Sequence, residues 1–417
     1  MKNKIKILMI SDHAQTNTGV AVQSNHLIKG LLQTNKYEIT QLGAAVYHDD
    51  YSVVNVEEDF NIIPINGFGD KDIIRSMLVS YDPDVLVIFS DSRFFEHIFE
   101  MEDEIHQVCP IMWWHVWDNR PAPLFNKPYY DSVDTINCIS ELTYNLCNEV
   151  ITEKNKINYI PHSVPEEIFY TLSQDQVEFH KLNILGDRKD DFICTWINRN
   201  TKRKRPGDLL KSWQMFLMDL EHKYKHKKAI LLMHTDPYDI LGMNLIEIAK
   251  NLNILENVRF SNQEVDFEKI NVLHNISDVC INISSAEGFG LSTLEAMYVG
   301  KPIIATQTGG LIRQLINPED SSINGVSLKP NVTTISGTQK IPYLNEDYAS
   351  LSSISKGIME IYETGKEKRK EIGLKAQKYA KSNFSYISMI KKWDDSIDET
   401  LLNWKSRYKR ISIEEIE

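Results

Sequence analysis

The chain has 417 residues, of which 42% are hydrophobic and 25% charged, and this ordinary globular composition predicts two domains at the usual ~100–200 residues each. The formal net charge of −12 excludes an overall electrostatic attraction to nucleic acid, so such binding would need a local basic patch.

The five cysteines include no C-x-x-C pair, and we interpret them as reduced core residues. No apolar run approaches the ~18 residues of a membrane span, and the run 7–10 is too short for a signal peptide. We therefore expect a cytoplasmic protein without stable membrane insertion, and peripheral contact with a membrane stays open.

Short apolar runs alternate with longer helical patterns through the first part of the chain. This alternation predicts βαβ units and a parallel sheet. The runs are 5–10, 37–42, 61–65, 85–89, 111–116, 136–139 and 157–160.

The same rhythm restarts after residue 191. The second set of apolar runs is 192–197, 229–233, 258–260, 279–283 and 302–305. The polar stretch 164–191 lacks sheet periodicity and is interpreted as a linker, which gives a first domain over 1–168 and a second over 186–385. We interpret 328–344 as a surface loop, and the pattern from Tyr348 to the end of the chain is helical.

The strand predicted over 279–283 leads into a glycine loop, Ser284-Ser-Ala-Glu-Gly-Phe-Gly290, and then into a helix. Ligands of open α/β sheets bind beyond the carboxyl ends of strands, and a helix N-terminus offers free N–H groups to an anion. The pattern therefore predicts a phosphate site. Glu287 and Glu295 can flank it and accept hydrogen bonds from vicinal hydroxyls. The alternative is that both glutamates lie on a solvated helix end.

Two glutamates separated by seven residues around this loop resemble the E-x7-E signature of retaining GT-B glycosyltransferases of family four, the glycosyl transferases group 1. The matching segments follow in order as Glu287-Gly-Phe-Gly-Leu291, Leu294-Glu-Ala-Met297, Gly300-Lys-Pro302 and Thr308-Gly-Gly310. The resemblance implies an α/β protein with two doubly wound, Rossmann-like domains facing each other across a cleft, and a C-terminal helix, about 386–417, packing back onto the first. It also implies that Glu287 contacts the donor sugar and that Glu295 binds the nucleotide ribose. It further implies that the loop residues Gly288, Phe289, Gly290 and Leu291 contact the nucleotide-sugar donor.

The resemblance extends upstream to Arg199 and Lys204, which match the family's arginine and lysine after the first strand of the donor domain. Such charges would stabilise a diphosphate leaving group. Taken alone, the run Lys202–Arg205 is a solvated basic segment, with a nucleic-acid patch as the minority alternative. The stretch 259–263 resembles the loop that contacts the base, which makes Asn262 and Gln263 weaker candidates.

In the first domain, the resemblance points to Gly19 and His115. Gly19 opens a predicted helix whose N-terminus would meet the donor phosphate. His115 ends an aromatic strand at a position where family members carry a histidine near the transferred sugar. On its own pattern it is more often a packed core residue, and core packing is also the more common role for most of Trp113, Trp114 and Trp117.

The resemblance implies a retaining glycosyltransferase that uses a nucleotide-diphosphate sugar, with a UDP-sugar favoured, and we expect it to need neither a metal ion nor another cofactor. The acceptor stays open among glycan, lipid, protein and modified nucleic acid. A dinucleotide oxidoreductase is disfavoured because Thr293 stands where the third glycine of that motif would be. A non-catalytic scaffold of the same fold and a sugar-nucleotide epimerase are the remaining alternatives. One departure from the family pattern is Arg313, since a glutamate often follows the glycine pair.

Overall fold

The computed structural model describes residues 4–262 and 266–407. The strands are β1 (Ile5–Asp12), β2 (Tyr37–Ala44), β3 (Val54–Glu57), β4 (Phe60–Pro64), β5 (Val85–Ser90), β6 (Ile111–His115), β7 (Thr135–Cys138), β8 (Ile157–Tyr159), β9 (Phe192–Ile197), β10 (Ala229–His234), β11 (Val258–Ser261), β12 (Val279–Asn282), β13 (Ile303–Thr306), β14 (Gly325–Leu328), β15 (Val332–Ser336) and β16 (Leu344–Tyr348). The α-helices are α1 (Gly19–Leu32), α2 (Lys71–Ser80), α3 (Glu96–Phe99), α4 (Glu102–Ile105), α5 (Lys127–Asp131), α6 (Glu141–Val150), α7 (Gln174–Leu185), α8 (Pro206–Tyr224), α9 (Leu245–Asn251), α10 (Phe267–Ile276), α11 (Leu291–Tyr298), α12 (Leu311–Leu315), α13 (Leu351–Glu363), α14 (Gly365–Asn383) and α15 (Tyr386–Arg407).

The chain divides into two compact units. The first comprises the described residues of Met1–His162, Gly337–Tyr343 and Tyr386–Glu417, and the second those of Ser163–Ser336 and Leu344–Ser385. Each unit has its own main sheet.

The sheet of the first unit has eight strands in the order β3-β4-β2-β1-β5-β6-β7-β8. Neighbouring strands are parallel, except that β3 pairs with β4 antiparallel. Every residue of β5 is buried, which is typical of a parallel strand covered on both faces. Helix α15 packs closely against α1 in this unit. A Cβ atom added to Gly30 of α1 would lie only 2.2 Å from Cδ1 of Ile390 on α15, so the helices approach too closely for a larger residue there. The ring of Trp393 meets that of Trp114 edge-on at 5.0 Å.

The sheet of the second unit has six parallel strands in the order β11-β10-β9-β12-β13-β14. Strands β9, β10 and β11 follow one another outward to one edge of the sheet. Strand β12 then pairs with the other side of β9, and β13 and β14 continue to the opposite edge. This reversal places the loops after β9 and β12 next to each other beyond the carboxyl ends of the strands, at the crevice where ligands bind in such sheets. The pairing of Cys280 with Thr195 sets the register between the two strands.

The apolar runs read from the sequence all form strands, and 192–197 coincides with β9. The interpretation of 328–344 as a surface loop is wrong, because β15 and β16 form an antiparallel hairpin there. Four of the five residues of β15 are exposed, so the strand lacks the apolar alternation that makes a half-buried strand recognisable.

The segment 164–191, which was interpreted as a linker, contains helix α7 at its centre. A capping box begins the helix, in which Ser173 accepts from the backbone of Gln176 and the Gln176 side chain accepts from the backbone of Ser173. Leu185 is the one buried residue of α7. A helix that buries so little has no apolar stripe, but the Ser-x-x-Gln spacing was a readable start signal.

The five cysteines are buried and unpaired, which confirms their interpretation as reduced core residues. Among the described helices, none combines the length and the apolar character needed to cross a bilayer.

Candidate functional site

The candidate site lies in the second unit, where the loops after β9 and β12 meet. The Ser285 amide donates to the carbonyl of Arg203 at 2.9 Å, and the Arg203 guanidinium donates to the carbonyl of Ala286. Strands β9 and β12 are neighbours at the reversal of strand order, so these bonds join the two loops that flank the ligand crevice.

Glu287 lies at the centre of this junction and is only 8% exposed. The Lys204 ammonium forms a salt bridge with its Oε2, the Ser284 hydroxyl donates to the same oxygen at 3.2 Å, and the Arg203 guanidinium lies 3.7 Å from Oε1. Burial by itself would raise the pKa of Glu287, but the charges of Lys204 and Arg203 and the two hydrogen bonds lower it to about 2. The carboxylate is therefore held ionised as a hydrogen-bond acceptor.

Glycines allow the loop after β12 and the loop after β13 to pack closely. Gly290 has φ +93°, and a Cβ atom there would lie 2.4 Å from Leu311. A Cβ atom on Gly310 would lie 2.3 Å from the carbonyl oxygen of Gly288, and the Gly310 amide donates to the carbonyl of Glu287 at 2.7 Å. Helix α11 begins directly after Gly290, and no side chain caps its first turn. Its N-terminal amide groups are thus suited to bind an anion at the loop.

Glu295 lies one turn into α11 and is 8% exposed. Its Oε2 is 3.1 Å from Nε2 of His274 on α10. At the carboxyl ends of β10 and β11, Nδ1 of His234 lies 3.0 Å from the hydroxyl of Ser261. Burial and the neighbouring His274 lower the pKa of His234, while the charge of Glu295 opposes that shift.

The structure does not pair Arg199 with the glutamates. Arg199 follows β9, its side chain is 60% exposed, and its Nε lies 2.7 Å from the Asp239 carboxylate. The bond to Arg199 lowers the pKa of Asp239. Asn262 is exposed directly after β11, and Gln263 lies outside the described residues.

The remaining predicted donor-loop residues take different positions. Phe289 is 4% exposed and packs edge-on against Phe384, while Leu291 is half-buried at the start of α11. Arg313 donates to Asn383 at 3.0 Å and lies against the ring of Tyr379, so it contacts α14.

Two predicted residues belong to the first unit. Gly19 is exposed at the start of α1, where the Thr18 hydroxyl accepts from the Ala21 amide at 3.1 Å. His115 is 0% exposed, and its Nε2 lies 2.8 Å from the hydroxyl of Tyr130. This burial matches the packed-core alternative for His115. Trp113 and Trp114 are also fully buried, and Trp117 nearly so.

Sequence reasoning missed three contributors to the site. Arg203 was noted in the basic run, but nothing in its pattern distinguishes it from its neighbours. His274 reaches Glu295 only through the packing of α10 on α11. Asp347, on the unpredicted β16, accepts from the Thr308 hydroxyl at 2.8 Å and thereby anchors the loop that carries Gly310.

Lys204 and Glu287 neutralise each other, so both side chains have a partner without a bound ligand. Their presence therefore does not by itself distinguish an enzyme from a scaffold.

Solved structures share the fold over nearly the whole chain. A sucrose-phosphate synthase from Thermosynechococcus elongatus matches with a TM-score of 0.75 at 14% identity, over 96% of this chain and 100% of that one. Anabaena HepE in complex with UDP-glucose matches with a TM-score of 0.69 at 13% identity, over 96% and 100% of the two chains. Likeness at these identities is one of fold, and it confirms the predicted α/β class with two Rossmann-like units, the GT-B fold.

Sequence comparison matches part of the chain to a known family. Residues 180–378 match the model of the family described as Glycosyl transferases group 1, and this range includes the loops after β9 and β12. N-acetyl-alpha-D-glucosaminyl L-malate synthase of Bacillus anthracis is 24% identical over 178 residues, which is 43% of this chain and 42% of that protein. The match thus spans less than half of that relative's length. Both findings support the resemblance drawn from the motifs.

Proposed function

We propose that this chain is a retaining glycosyltransferase that transfers a sugar from a nucleotide-diphosphate sugar to an acceptor hydroxyl, with a UDP-sugar as the favoured donor. The observation that carries the proposal is the buried Glu287 carboxylate held by Lys204 beside the N-terminus of α11, at the reversal of strand order. This arrangement supplies a fixed acceptor for sugar hydroxyls next to positive groups for a diphosphate.

The proposed donor contacts follow from charge and position. Lys204 and the amide groups at the start of α11 would bind the diphosphate. Arg199, exposed and held by Asp239, would join them by exchanging one carboxylate partner for a phosphate. Glu287 would hold the donor sugar, and Glu295 the ribose. Asn262 and Gln263 enter the proposal only through the family resemblance.

His115 and Gly19 also enter only through that resemblance. The burial of His115 limits it to a role that a fully buried imidazole can perform, such as orienting a neighbouring group. Gly19 is exposed and leaves the start of α1 open to solvent.

In the proposed reaction, the bond between the anomeric carbon and the diphosphate oxygen breaks, and the acceptor oxygen forms the new bond on the same face of the sugar. The proton of the acceptor hydroxyl passes to the leaving phosphate oxygen. Positive groups around the diphosphate would stabilise the charge that develops there, and electrostatic stabilisation of this kind is usually the largest single contribution to catalysis. Glu287, ionised, would stabilise the oxocarbenium-like sugar through its hydroxyls.

The test is a donor screen with the full chain. UDP-, GDP- and ADP-sugars are incubated with water alone and with a panel of acceptor sugars, and release of the nucleoside diphosphate is measured. We expect release with at least one donor, and NMR of the product should show the anomeric configuration of the donor. An inverted product contradicts the retaining mechanism. An interconverted sugar nucleotide without transfer would instead indicate an epimerase.

A further inference from the structure

The His274 imidazole is in hydrogen-bonding contact with the Glu295 carboxylate. His274 is completely buried on α10, with Nε2 3.1 Å from Oε2 of Glu295. The ring of Phe169 packs edge-on against the imidazole at 6.3 Å. The imidazole is therefore fixed by packing, and it fixes one oxygen of the carboxylate in turn.

The other imidazole nitrogen decides how the contact is made. Nδ1 of His274 is buried and has no hydrogen-bond partner within residues 4–262 and 266–407. A doubly protonated ring would leave a charged N–H group buried without an acceptor, which is costly. The form that suits this environment is the neutral ring with its proton on Nε2, so that Nε2–H donates to Oε2 of Glu295.

Within the described parts of the chain, 4–262 and 266–407, the hydrogen bond to the Glu295 side chain is made at Oε2, which leaves Oε1 for a ligand. Cys280 lies below α11, and burial together with the Glu295 charge raises the pKa of its thiol, which stays neutral. His234, whose pKa is lowered, is engaged with Ser261. A carboxylate anchored through Oε2 can present Oε1 to an incoming pair of hydroxyl groups without losing its orientation.

We propose that His274 is a positioning residue that orients Glu295 to accept hydrogen bonds from the vicinal hydroxyls of the nucleotide ribose, and so sets the preference of the site for ribonucleotides. The inference rests on the proposed function, in which Glu295 is the ribose contact. In this inference, His274 holds the Glu295 carboxylate in the fixed orientation that a hydrogen bond from the 2′-hydroxyl requires.

The test measures binding of UDP, GDP and ADP and of their 2′-deoxy counterparts to the full chain by calorimetry. Wild type is compared with His274→Phe, His274→Gln and Glu295→Ala. His274→Phe keeps the ring and removes the donor, whereas His274→Gln places an amide N–H near the Nε2 position. We expect wild type and His274→Gln to prefer the ribonucleotide by about tenfold or more, as one hydrogen bond to a charged group predicts. We expect His274→Phe and Glu295→Ala to lose most of that preference.

Each outcome separates the inference from the proposed function. Loss of preference in Glu295→Ala with full preference in folded His274→Phe overturns the role of His274 alone. Full preference in Glu295→Ala removes the ribose contact and the inference with it. Absence of any diphosphate binding by wild type overturns both. If His274→Phe does not fold, His274→Asn serves instead, because its shorter amide does not reach Glu295, and retained preference there again contradicts the inference.

Discussion

The Lys204 ammonium forms a partly buried salt bridge with the Glu287 carboxylate, and the two residues come from loops that follow neighbouring strands. Each charge neutralises the other in the unliganded site. A bound diphosphate would therefore share Lys204 with Glu287, which the three donor hydrogens of an ammonium allow.

We predict that Lys204→Met lowers kcat/KM for the nucleotide sugar by about 100-fold or more, the usual effect of removing one group that stabilises a developing negative charge. Diphosphate release under subsaturating donor measures this ratio. Lys202→Met is the matched control, because Lys202 is an exposed lysine of the same basic run. Equal losses in the two variants would mean that the run acts only through its overall charge.

The shifted pKa of Glu287 predicts how stability depends on pH. The folded pKa is about 2 and the ordinary value is 4.5, so the carboxylate stabilises the folded chain above about pH 4.5, and this contribution is lost as the pH falls towards 2. The difference corresponds to about 3 kcal/mol. The stability deficit of Glu287→Gln should thus be largest at neutral pH and shrink as the pH falls below 4.5.

Urea unfolding of wild type and Glu287→Gln between pH 3 and pH 7 measures this deficit. Glu319→Gln, at an exposed glutamate of the same unit, is the control and should show little difference at any pH. A deficit for Glu287→Gln that is the same at pH 3 and pH 7 would contradict the shift.

Gly310→Ala tests the close packing of the glycine loops. Gly310 has φ −68°, which any residue adopts, so the cost of alanine comes from its Cβ atom 2.3 Å from Gly288 and 2.6 Å from Phe289. We expect a destabilisation of about 1–3 kcal/mol and a raised donor KM. Gly365→Ala is the contrasting control, with φ +74° and open space, and should cost about 1 kcal/mol without changing the donor KM. An unaffected KM in Gly310→Ala would separate these loops from donor binding.

Much of the fold was predictable because buried parallel strands are continuous apolar runs. Strand β9, Phe192–Ile197, is buried along almost its whole length, and its limits were read correctly. The exposed hairpin of β15 and β16 gives no such signal, because its residues alternate neither in polarity nor in burial. The apolar pattern of a sequence indicates which residues are buried, so it does not predict elements that bury few residues.

In the site, too, the features that are local in sequence were predictable and those that depend on packing were not. The spacing of Glu287 and Glu295 is local to one loop and one helix, and it marked the segment from the sequence. The contact between His274 and Glu295 joins residues 21 apart on two helices and depends on how those helices pack. The same is true of Arg203, whose partner on the next loop was invisible until β9 and β12 were placed side by side.

We expect the reaction to proceed without a divalent cation. Lys204, Arg199 and the amide groups of α11 supply the positive charge that the leaving diphosphate needs. The sequence Asp82-Pro-Asp84 precedes β5, and Asp84 accepts from the Lys6 amide at 2.9 Å, so it lies at the amino end of that strand. Turnover should be unchanged by a chelator. Activity lost with chelator and restored only by added metal would contradict this prediction.

The last prediction separates the two glutamates of the signature. Glu287 would act on the sugar as charge develops at its anomeric carbon, so its contact strengthens in the transition state, and a loss of such a contact appears in kcat. Glu295 would hold the ribose equally in the ground and transition states, and a loss of uniform binding appears in KM. Glu287→Gln should therefore lower kcat by about 100-fold with a small change in donor KM, whereas Glu295→Gln should raise donor KM by about tenfold and leave kcat within about threefold.

Both variants are measured as diphosphate release over a range of donor concentrations at a saturating concentration of the acceptor found in the screen. Thermal unfolding of each variant shows whether the change is confined to the site. Because Glu287 also neutralises Lys204, Glu287→Gln should be the less stable variant as well, so kcat is expressed per folded molecule. A kcat for Glu287→Gln equal to that of wild type would remove Glu287 from the reaction, even if the donor still bound.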